Sequence, residues 1–172
     1  AFKIPHDLAK DLIEKVVHTA NLKSAFRAVK RNKGAPGIDK RTICDVEAVL
    51  DDIIKELQSS IIDDKHTPSS VRGVQIPKAN GKTRLLGIPT VIDRMVQQAI
   101  VQILSPIFDP HFSDNSYGFR PKRSASGAIS KAKSYVKSGK SWVVDMDLEA
   151  FFDNVNHDIL MSMIARSISD KK

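Results

Sequence analysis

The sequence lacks features that several classes of protein need. Cys44 is the only cysteine among the 172 residues, so an intrachain disulfide is excluded and a cysteine-based zinc site is not expected. No run of about 18 apolar residues occurs, which excludes a membrane-spanning helix in the sequence given. The first twenty residues are charged at six positions and lack the apolar stretch of a secretory signal. These absences fit a reducing compartment and predict a cytoplasmic protein without a membrane partner.

Basic residues outnumber acidic ones. The sequence has 27 Lys and Arg against 20 Asp and Glu, a net charge of +7. Residues 1–40 and 71–140 have net charges of +5 and +9, whereas residues 41–70 and 141–172 have −4 and −3. A scattered excess is typical of a soluble surface. This arrangement in blocks instead favours a polyanion bound along one surface, with an anionic, metal-accepting centre at its end.

The apolar pattern predicts a mixed chain of the α+β class. Two short strands, residues 71–77 and 83–88, flank Asn80-Gly81, a strong hairpin signal, and a third strand is predicted over residues 142–147. Apolar residues at helical spacing predict helices over residues 5–19, 22–31, 46–57, 91–104, 124–136 and 158–168. The order of these elements indicates an α+β fold.

Two carboxylates lie near the end of the third predicted strand. Because side chains alternate along a strand, Asp145 and Asp147 share one face. Burying them is costly unless a positive partner meets them, and Mg²⁺ is one such partner because it prefers carboxylate, phosphate and water oxygens. In the alternative interpretation, one Asp caps the next helix and the other is solvated. The spacing alone leaves both interpretations open.

The predicted hairpin carries Lys78 and Arg84 on facing strands. An Arg can hold phosphate oxygens with two N–H groups and a Lys supplies a mobile point charge, so the pair would form a cationic clamp. The alternative is that both are ordinary exposed side chains of a surface hairpin, which is the commoner fate of such residues.

Six short sequence blocks follow one another between about residues 30 and 160. They are Gly34-Ala-Pro-Gly-Ile-Asp39, Ile76-Pro-Lys78, Arg84-Leu-Leu-Gly-Ile-Pro-Thr90, Asp93-Arg-Met-Val-Gln97, Ser116-Tyr-Gly-Phe-Arg-Pro121 and Asp147-Leu-Glu-Ala-Phe-Phe-Asp153. In this order and spacing the chain resembles the reverse transcriptases encoded by bacterial group II introns. Reverse transcriptases of retrons, CRISPR systems and diversity-generating elements carry related blocks. A non-enzymatic RNA-binding module with the same fold is the third alternative.

The resemblance implies a right-hand polymerase. Residues 1–138 would form the fingers, including an N-terminal extension, and residues 139–172 the first strand and helix of the palm. The full-length protein would be an RNA-directed DNA polymerase that also acts as a maturase in intron splicing and in retrohoming. Its partners would be intron RNA as template, a DNA primer and a deoxynucleoside triphosphate (dNTP), and a homo-oligomer stays open.

The resemblance also implies a role for individual residues. Asp147 matches the first metal-binding aspartate of the palm, and the backbone carbonyl of Leu148 would be a further ligand in a site for two Mg²⁺ ions. Phe152 matches the aromatic residue that packs under the nucleotide sugar and excludes a 2′-hydroxyl. The remaining candidates are the triphosphate-holding Lys78 and Arg84, the template- or nucleotide-facing Arg120, and the nucleic-acid-binding residues Gly34, Pro36, Gly37, Arg27, Lys30, Arg31, Lys122 and Arg123.

The sequence departs from the family pattern at one point. It contains no Tyr-x-Asp-Asp turn, which supplies further aspartates to the two-metal site, and its Asp51-Asp52 and Asp63-Asp64 pairs both precede the hairpin. We therefore expect a fragment that binds RNA but does not polymerise alone, with a metal site completed only by downstream residues. Cys44 is expected to be a small core residue.

Overall fold

The structure, a computed structural model, describes residues 11–77, 81 and 83–168. Strands β1 (Arg72–Pro77) and β2 (Thr83–Ile88) form a two-stranded antiparallel sheet. The helices are α1 (Leu12–Val17), α2 (Thr19–Arg31), α3 (Ile43–Ala48), α4 (Leu50–Ile62), α5 (Val91–Phe108), α6 (Ala125–Lys137) and α7 (His157–Ala165). The α+β prediction is confirmed. No helix in the described part of the chain has the length and apolar character needed to cross a membrane.

The hydrophobic core is built mainly by α2, α4 and α5. On α2 and α5 the buried residues recur every three or four positions, which places them on one face of each helix. The core residues of these helices are Leu22, Ala25, Phe26, Val29, Ile53, Ile54, Leu57, Val91, Met95, Val96 and Ala99. The helices after residue 124 contribute no buried residue. The expected boundary between fingers and palm, after residue 138, follows α6 and stays a prediction.

The third apolar stripe is divided between two helices, so the single helix predicted over residues 46–57 is wrong. Thr42 forms a capping box with Asp45: the Thr42 hydroxyl accepts the Asp45 N–H at 3.2 Å, and the Asp45 carboxylate accepts the Thr42 N–H at 2.8 Å. This cap starts α3 before the stripe begins, and the backbone changes direction at Val49 (φ −126°). Cys44 is exposed in the first turn of α3, so its predicted place in the core is also wrong.

Helix α5 extends past the predicted end at residue 104. Pro106 lies inside it, and the helix ends at Phe108, just before a 3₁₀ turn at Asp109–His111 that contains Pro110. A proline removes one backbone hydrogen bond. Because Pro106 stands in the last turn of an otherwise well-packed helix, that loss does not stop the helix there.

The third predicted strand is not formed. Residues 141–148 have no regular secondary structure, and the only sheet within the described ranges joins β1 to β2. A strand is stable only where a neighbour satisfies its backbone N–H and C=O groups. Without that neighbour the segment leaves its apolar side chains in solvent; Trp142, for example, is 94% exposed. The final predicted helix does form, with the Asn156 side chain accepting the Ile159 N–H at 3.0 Å.

Candidate functional site

The block at residues 34–39 packs on the first turn of α5. Gly37 is buried, and a Cβ atom added to it would lie 2.6 Å from Thr90 Cα and 2.7 Å from Thr90 N. Arg94 donates from Nη2 to the carbonyl oxygen of Ala35 at 2.7 Å. The glycine is therefore required by a close backbone approach, whatever else the loop does. That Gly34, Pro36 and Gly37 contact nucleic acid stays a prediction.

The hairpin presents Arg84 to solvent. Arg84 lies opposite Ile76 in the register, and Thr83 lies opposite Pro77 at the open end of the ladder. Gly81 has a φ of +76°, a left-handed conformation that glycine adopts without penalty and that fits the predicted turn. Lys78 lies outside the described residues, so the predicted clamp between Lys78 and Arg84 stays a prediction.

Asp147 is an exposed carboxylate. It accepts the backbone N–H of its neighbour Leu148 at 3.0 Å, and none of the described Lys or Arg side chains forms an ion pair with it. No group of three His, Cys, Asp or Glu residues capable of holding a metal ion occurs over the described ranges. The oxygen donors of Asp147 and Leu148 are chemically suited to Mg²⁺, but one carboxylate is only part of a two-ion site.

Phe152 follows Asp147 in the same turn of chain. It begins the 3₁₀ turn Phe152–Asn154, and its ring meets that of Phe151 edge-on at 5.4 Å between centroids. Asn154 donates from Nδ2 to the carbonyl oxygen of Ala150 at 3.1 Å, which holds the turn closed. The ring of Phe152 is 82% exposed, so it has apolar surface available to a ligand.

Arg120 is bound within the chain at every nitrogen of its guanidinium. Its Nε contacts Asp109 Oδ1 at 2.7 Å, its Nη2 donates to the Asp109 carbonyl at 2.8 Å, and its Nη1 donates to the carbonyls of Ser113 and Ser116 at 2.7 and 3.1 Å. The side chain is 7% exposed and lies over the Phe112 ring. The hydrogen bond lowers the pKa of Asp109 and raises the pKa of Arg120. Arg120 thus fastens the loop at residues 109–120, and its expected nucleotide contact stays a prediction.

Its basic neighbours differ in what they contact. Arg123 donates to the side chain of Asp114 at 3.2 Å and to the Asp114 carbonyl at 3.1 Å, and it lies over the ring of Tyr117. Lys122 is exposed at the start of the same turn. Both stay candidates for nucleic-acid binding, and Lys122 is the more accessible of the two.

The basic face of α2 lies against the acidic block of the chain. Lys30 pairs with Glu47 at 2.5 Å and Lys23 with Asp51 at 2.8 Å. The bond from Lys23 lowers the pKa of Asp51. A cleft of about 470 Å³ lies between these helices, with Arg27 in its lining. Folding therefore neutralises part of the charge of both blocks, which the charge count alone did not reveal. Arg27 and Arg31 are exposed and stay candidates for RNA contact.

Sequence reasoning missed the importance of Thr90, Asp93 and Arg94. Asp93 is buried, accepts the Thr90 hydroxyl at 2.6 Å and accepts the Ser69 N–H at 3.3 and 3.4 Å. The Thr90 hydroxyl in turn accepts the Asp93 N–H at 3.0 Å. A Thr followed three residues later by an acidic residue before an apolar helix is a capping signal, so the cap itself was readable. The contacts to Ser69 and Ala35 are long-range and left no local signal.

Comparison with known proteins gives the ancestry of this arrangement. The model of the family described as "Reverse transcriptase (RNA-dependent DNA polymerase)" matches residues 76–172. Protein YkfC of Escherichia coli is 38% identical over 157 residues, which cover 88% of this chain and 41% of the relative. Group II intron-encoded protein LtrA of Lactococcus lactis is 37% identical over 151 residues, covering 86% and 24%. Nuclear intron maturase 1 of Arabidopsis thaliana is 32% identical over 84 residues, covering 49% and 12%.

These matches decide between the alternatives left open by the sequence. The family match covers more than half of the chain, from the hairpin through the Asp147 turn, and relatives named as intron-encoded proteins and maturases extend the similarity towards the N-terminus. The chain spans about two fifths of the first of these relatives and a quarter of the second. The resemblance to group II intron enzymes is thereby confirmed, and the chain belongs to the reverse transcriptase (RNA-dependent DNA polymerase) family.

Proposed function

We propose that this chain forms the fingers and the first part of the palm of an RNA-directed DNA polymerase encoded by a bacterial group II intron. The observation that carries the proposal is the family match over residues 76–172, joined to intron-encoded relatives that align over 86–88% of the chain. The whole protein would serve as a maturase in splicing and copy intron RNA in retrohoming, in the bacterial cytoplasm. Family membership implies divalent-metal-dependent nucleotidyl transfer in general, with Mg²⁺ as the proposed ion.

The proposed nucleotide site combines Asp147, Phe152 and the hairpin cations. Asp147 and the Leu148 carbonyl would hold Mg²⁺, which when bound neutralises phosphate charge and stabilises the attacking and leaving oxygens. Phe152 would press its exposed ring against the sugar and penalise a 2′-hydroxyl sterically. Arg84, with Lys78, would hold the triphosphate. The exposure of Asp147, Phe152 and Arg84 supports these roles.

The proposed template surface lies on the N-terminal half. Residues 34–39 would lie along the template strand, and the exposed cations Arg27, Arg31 and Lys122 would contact phosphates, together with Lys30 and Arg123. Phosphate contacts of this kind hold nucleic acid without reading its sequence. A DNA primer paired to the template and an incoming dNTP complete the proposed set of partners.

The first experiment uses the chain of 172 residues itself. We expect it to bind single-stranded RNA with an affinity that falls steeply as salt rises, because the contacts are mainly to phosphate. We expect no primer extension, since the sequence contains no Tyr-x-Asp-Asp turn. Fluorescence anisotropy and a radiolabelled primer assay measure the two properties. Extension by this chain, with contaminating polymerase excluded, would contradict the expected lack of activity.

The second experiment tests Asp147 in an enzyme that continues into the rest of the palm. Asp147→Asn should reduce dNTP incorporation at least about a thousandfold while RNA binding stays close to that of the unsubstituted enzyme, since losing one charged transition-state contact typically costs two to three orders of magnitude in rate and Asp147 would hold both ions. Glu149→Gln is the matched control, because Glu149 is an exposed carboxylate two residues away. Equal loss of RNA binding and synthesis in Asp147→Asn would indicate a structural role instead.

The third experiment separates two roles for Arg84. If Arg84 holds triphosphate, Arg84→Ala raises the KM for dNTP and leaves the salt dependence of RNA binding unchanged. If it contacts RNA, the affinity for RNA falls and the slope of log affinity against log salt falls by about one. Lys65→Ala is the control for loss of one positive charge, because Lys65 is exposed and pairs with Asp63 in the acidic block.

A further inference from the structure

We infer that Arg94 is a positioning residue that fixes the loop at residues 34–39 in the conformation used to contact template. The template contact rests on the proposed function, whereas the fixing of the loop rests on geometry alone. The inference assigns a purpose to an arginine that lies on neither the hairpin nor the Asp147 turn, and sixty residues from the loop it holds.

The guanidinium of Arg94 is placed by the loop. Its Nη2 donates to the carbonyl of Ala35 at 2.7 Å, and its Nη1 and Cζ fill the space beside Gly34, with Cζ 3.3 Å from where a Cβ of residue 34 would stand. Its Nε is buried and has no hydrogen-bond partner among the described residues. An unpartnered buried donor carries an energetic cost. The contacts made by Nη1 and Nη2 on the loop must therefore outweigh that cost for the side chain to stay where it is.

The two glycines of the loop are needed for different reasons. At Gly37 the nearest atoms to an added Cβ are backbone atoms of Thr90, at 2.6 and 2.7 Å, which can move only if α5 moves. At Gly34 the nearest atoms belong to the end of the Arg94 side chain, which can swing away. A methyl group at residue 34 would therefore displace the guanidinium and break its bond to Ala35, while leaving the backbone in place. Gly34 and Arg94 should act as one unit.

The same helical turn also organises the hairpin. Thr90 stands two residues after the end of β2, and Asp93 accepts the N–H of Ser69, three residues before β1 begins. Arg94 thus attaches the loop to the turn of α5 from which the hairpin carrying Arg84 emerges. Fixing the loop here sets its position relative to the proposed triphosphate-holding strand, which is the physical content of a positioning role.

Amide hydrogen exchange tests whether Arg94 holds the loop. The reporters are the amides of Lys40 and Arg41, which donate to the Gly37 carbonyl at 3.3 Å and to the Asp39 side chain at 3.2 Å. Arg94→Ala should speed their exchange about tenfold or more, because a hydrogen bond from a charged group is lost. Amides in α4 should be unchanged, and Arg94→Lys should restore part of the protection. Arg166→Ala is the control, because Arg166 is an exposed arginine at the end of α7.

A double-substitution cycle tests the unit formed with Gly34. Gly34→Ala alone should speed exchange at Lys40 and Arg41 nearly as much as Arg94→Ala does. In the Arg94→Ala background, Gly34→Ala should add less than about a twofold change, because the group it displaces has gone. Gly37→Ala should perturb the amides of α5 as well. Unchanged exchange in Arg94→Ala, or full additivity with Gly34→Ala, would overturn the positioning role.

RNA binding separates positioning from direct contact. Arg94→Ala should weaken binding of a single-stranded RNA about threefold or more with the salt slope unchanged, because the lost phosphate contacts are not its own. A slope smaller by about one would show a direct phosphate contact and overturn the inference. If the unsubstituted chain bound no RNA, the proposed function and the template role would fail together, while the exchange result would still decide whether Arg94 holds the loop.

Discussion

Asp93 is the buried carboxylate on which the start of α5 depends. It is 6% exposed, accepts the Thr90 hydroxyl at 2.6 Å and accepts the Ser69 N–H through both oxygens at 3.3 and 3.4 Å. Through Ser69 it joins α5 to the segment that leads into β1. Replacing it with alanine would remove all three contacts and leave two polar groups without partners.

The expected cost of Asp93→Ala follows from these distances. The short bond from Thr90 to a charged acceptor contributes about 1.5–3 kcal/mol, and the long shared bond from Ser69 about 0.5–1 kcal/mol. We therefore expect the free energy of unfolding to fall by about 2–4 kcal/mol. A domain of this size is stable by roughly 5–15 kcal/mol, so the variant stays folded but is clearly weakened. Asp93→Asn keeps one acceptor oxygen and should lose about half as much.

Urea denaturation followed by far-UV circular dichroism measures this loss. The control is Asp52→Ala, because Asp52 also lies in the first turn of a helix but is 83% exposed and only 3.5 Å from Lys55. A loss within about 0.5 kcal/mol is expected for an exposed pair of this kind. If Asp93→Ala destabilised the chain no more than Asp52→Ala, Asp93 would not hold the helix and the hairpin together.

Three further predictions follow from exposure and charge pairing. Arg120→Ala should expose the loop at residues 109–120 to chymotrypsin far more than Arg123→Ala does, because only Arg120 is bound by four hydrogen bonds. The hydrogen bond from Arg120 lowers the pKa of Asp109 below its ordinary value of 3.8, so its stabilisation is present above that pH and is lost as the pH falls through the lowered pKa. Asp109→Asn should therefore flatten the acid limb of a stability profile. Native Cys44 should react with a thiol reagent as fast as in the unfolded chain, since it is exposed.

Local signals were enough to predict most of the N-terminal fold. The apolar spacing of α2 and α5 marks a face that must be buried, and the core lies on those faces. The β1–β2 hairpin followed from two β-rich runs around Asn80-Gly81, and the helix caps Ser124 and Asn156 both accept a backbone N–H as their residue types favour. Each of these features is decided by residues close together in sequence.

Contacts between distant residues were not predictable in this way. The bond from Arg94 to Ala35 spans 59 residues, and nothing near either residue distinguishes it from an exposed arginine or an ordinary loop. The charge blocks were read correctly as a sum but not as a pattern in space, because Lys23 and Lys30 of the basic block meet Asp51 and Glu47 of the acidic block. The count of charges along a chain does not say which of them face one another.

The failed strand changes how the metal site must be argued. From the sequence, Asp145 and Asp147 were expected on a buried strand, where an unpaired carboxylate is costly and a cation would offset the cost. In the structure, residues 141–148 lack a strand partner within the described ranges and both carboxylates are exposed, so neither carries that cost. The case for Mg²⁺ at Asp147 therefore rests on the family match across residues 76–172 and on the oxygen donors present. Burial of this segment against a neighbouring strand would restore the electrostatic argument, because the same carboxylates would then need a positive partner.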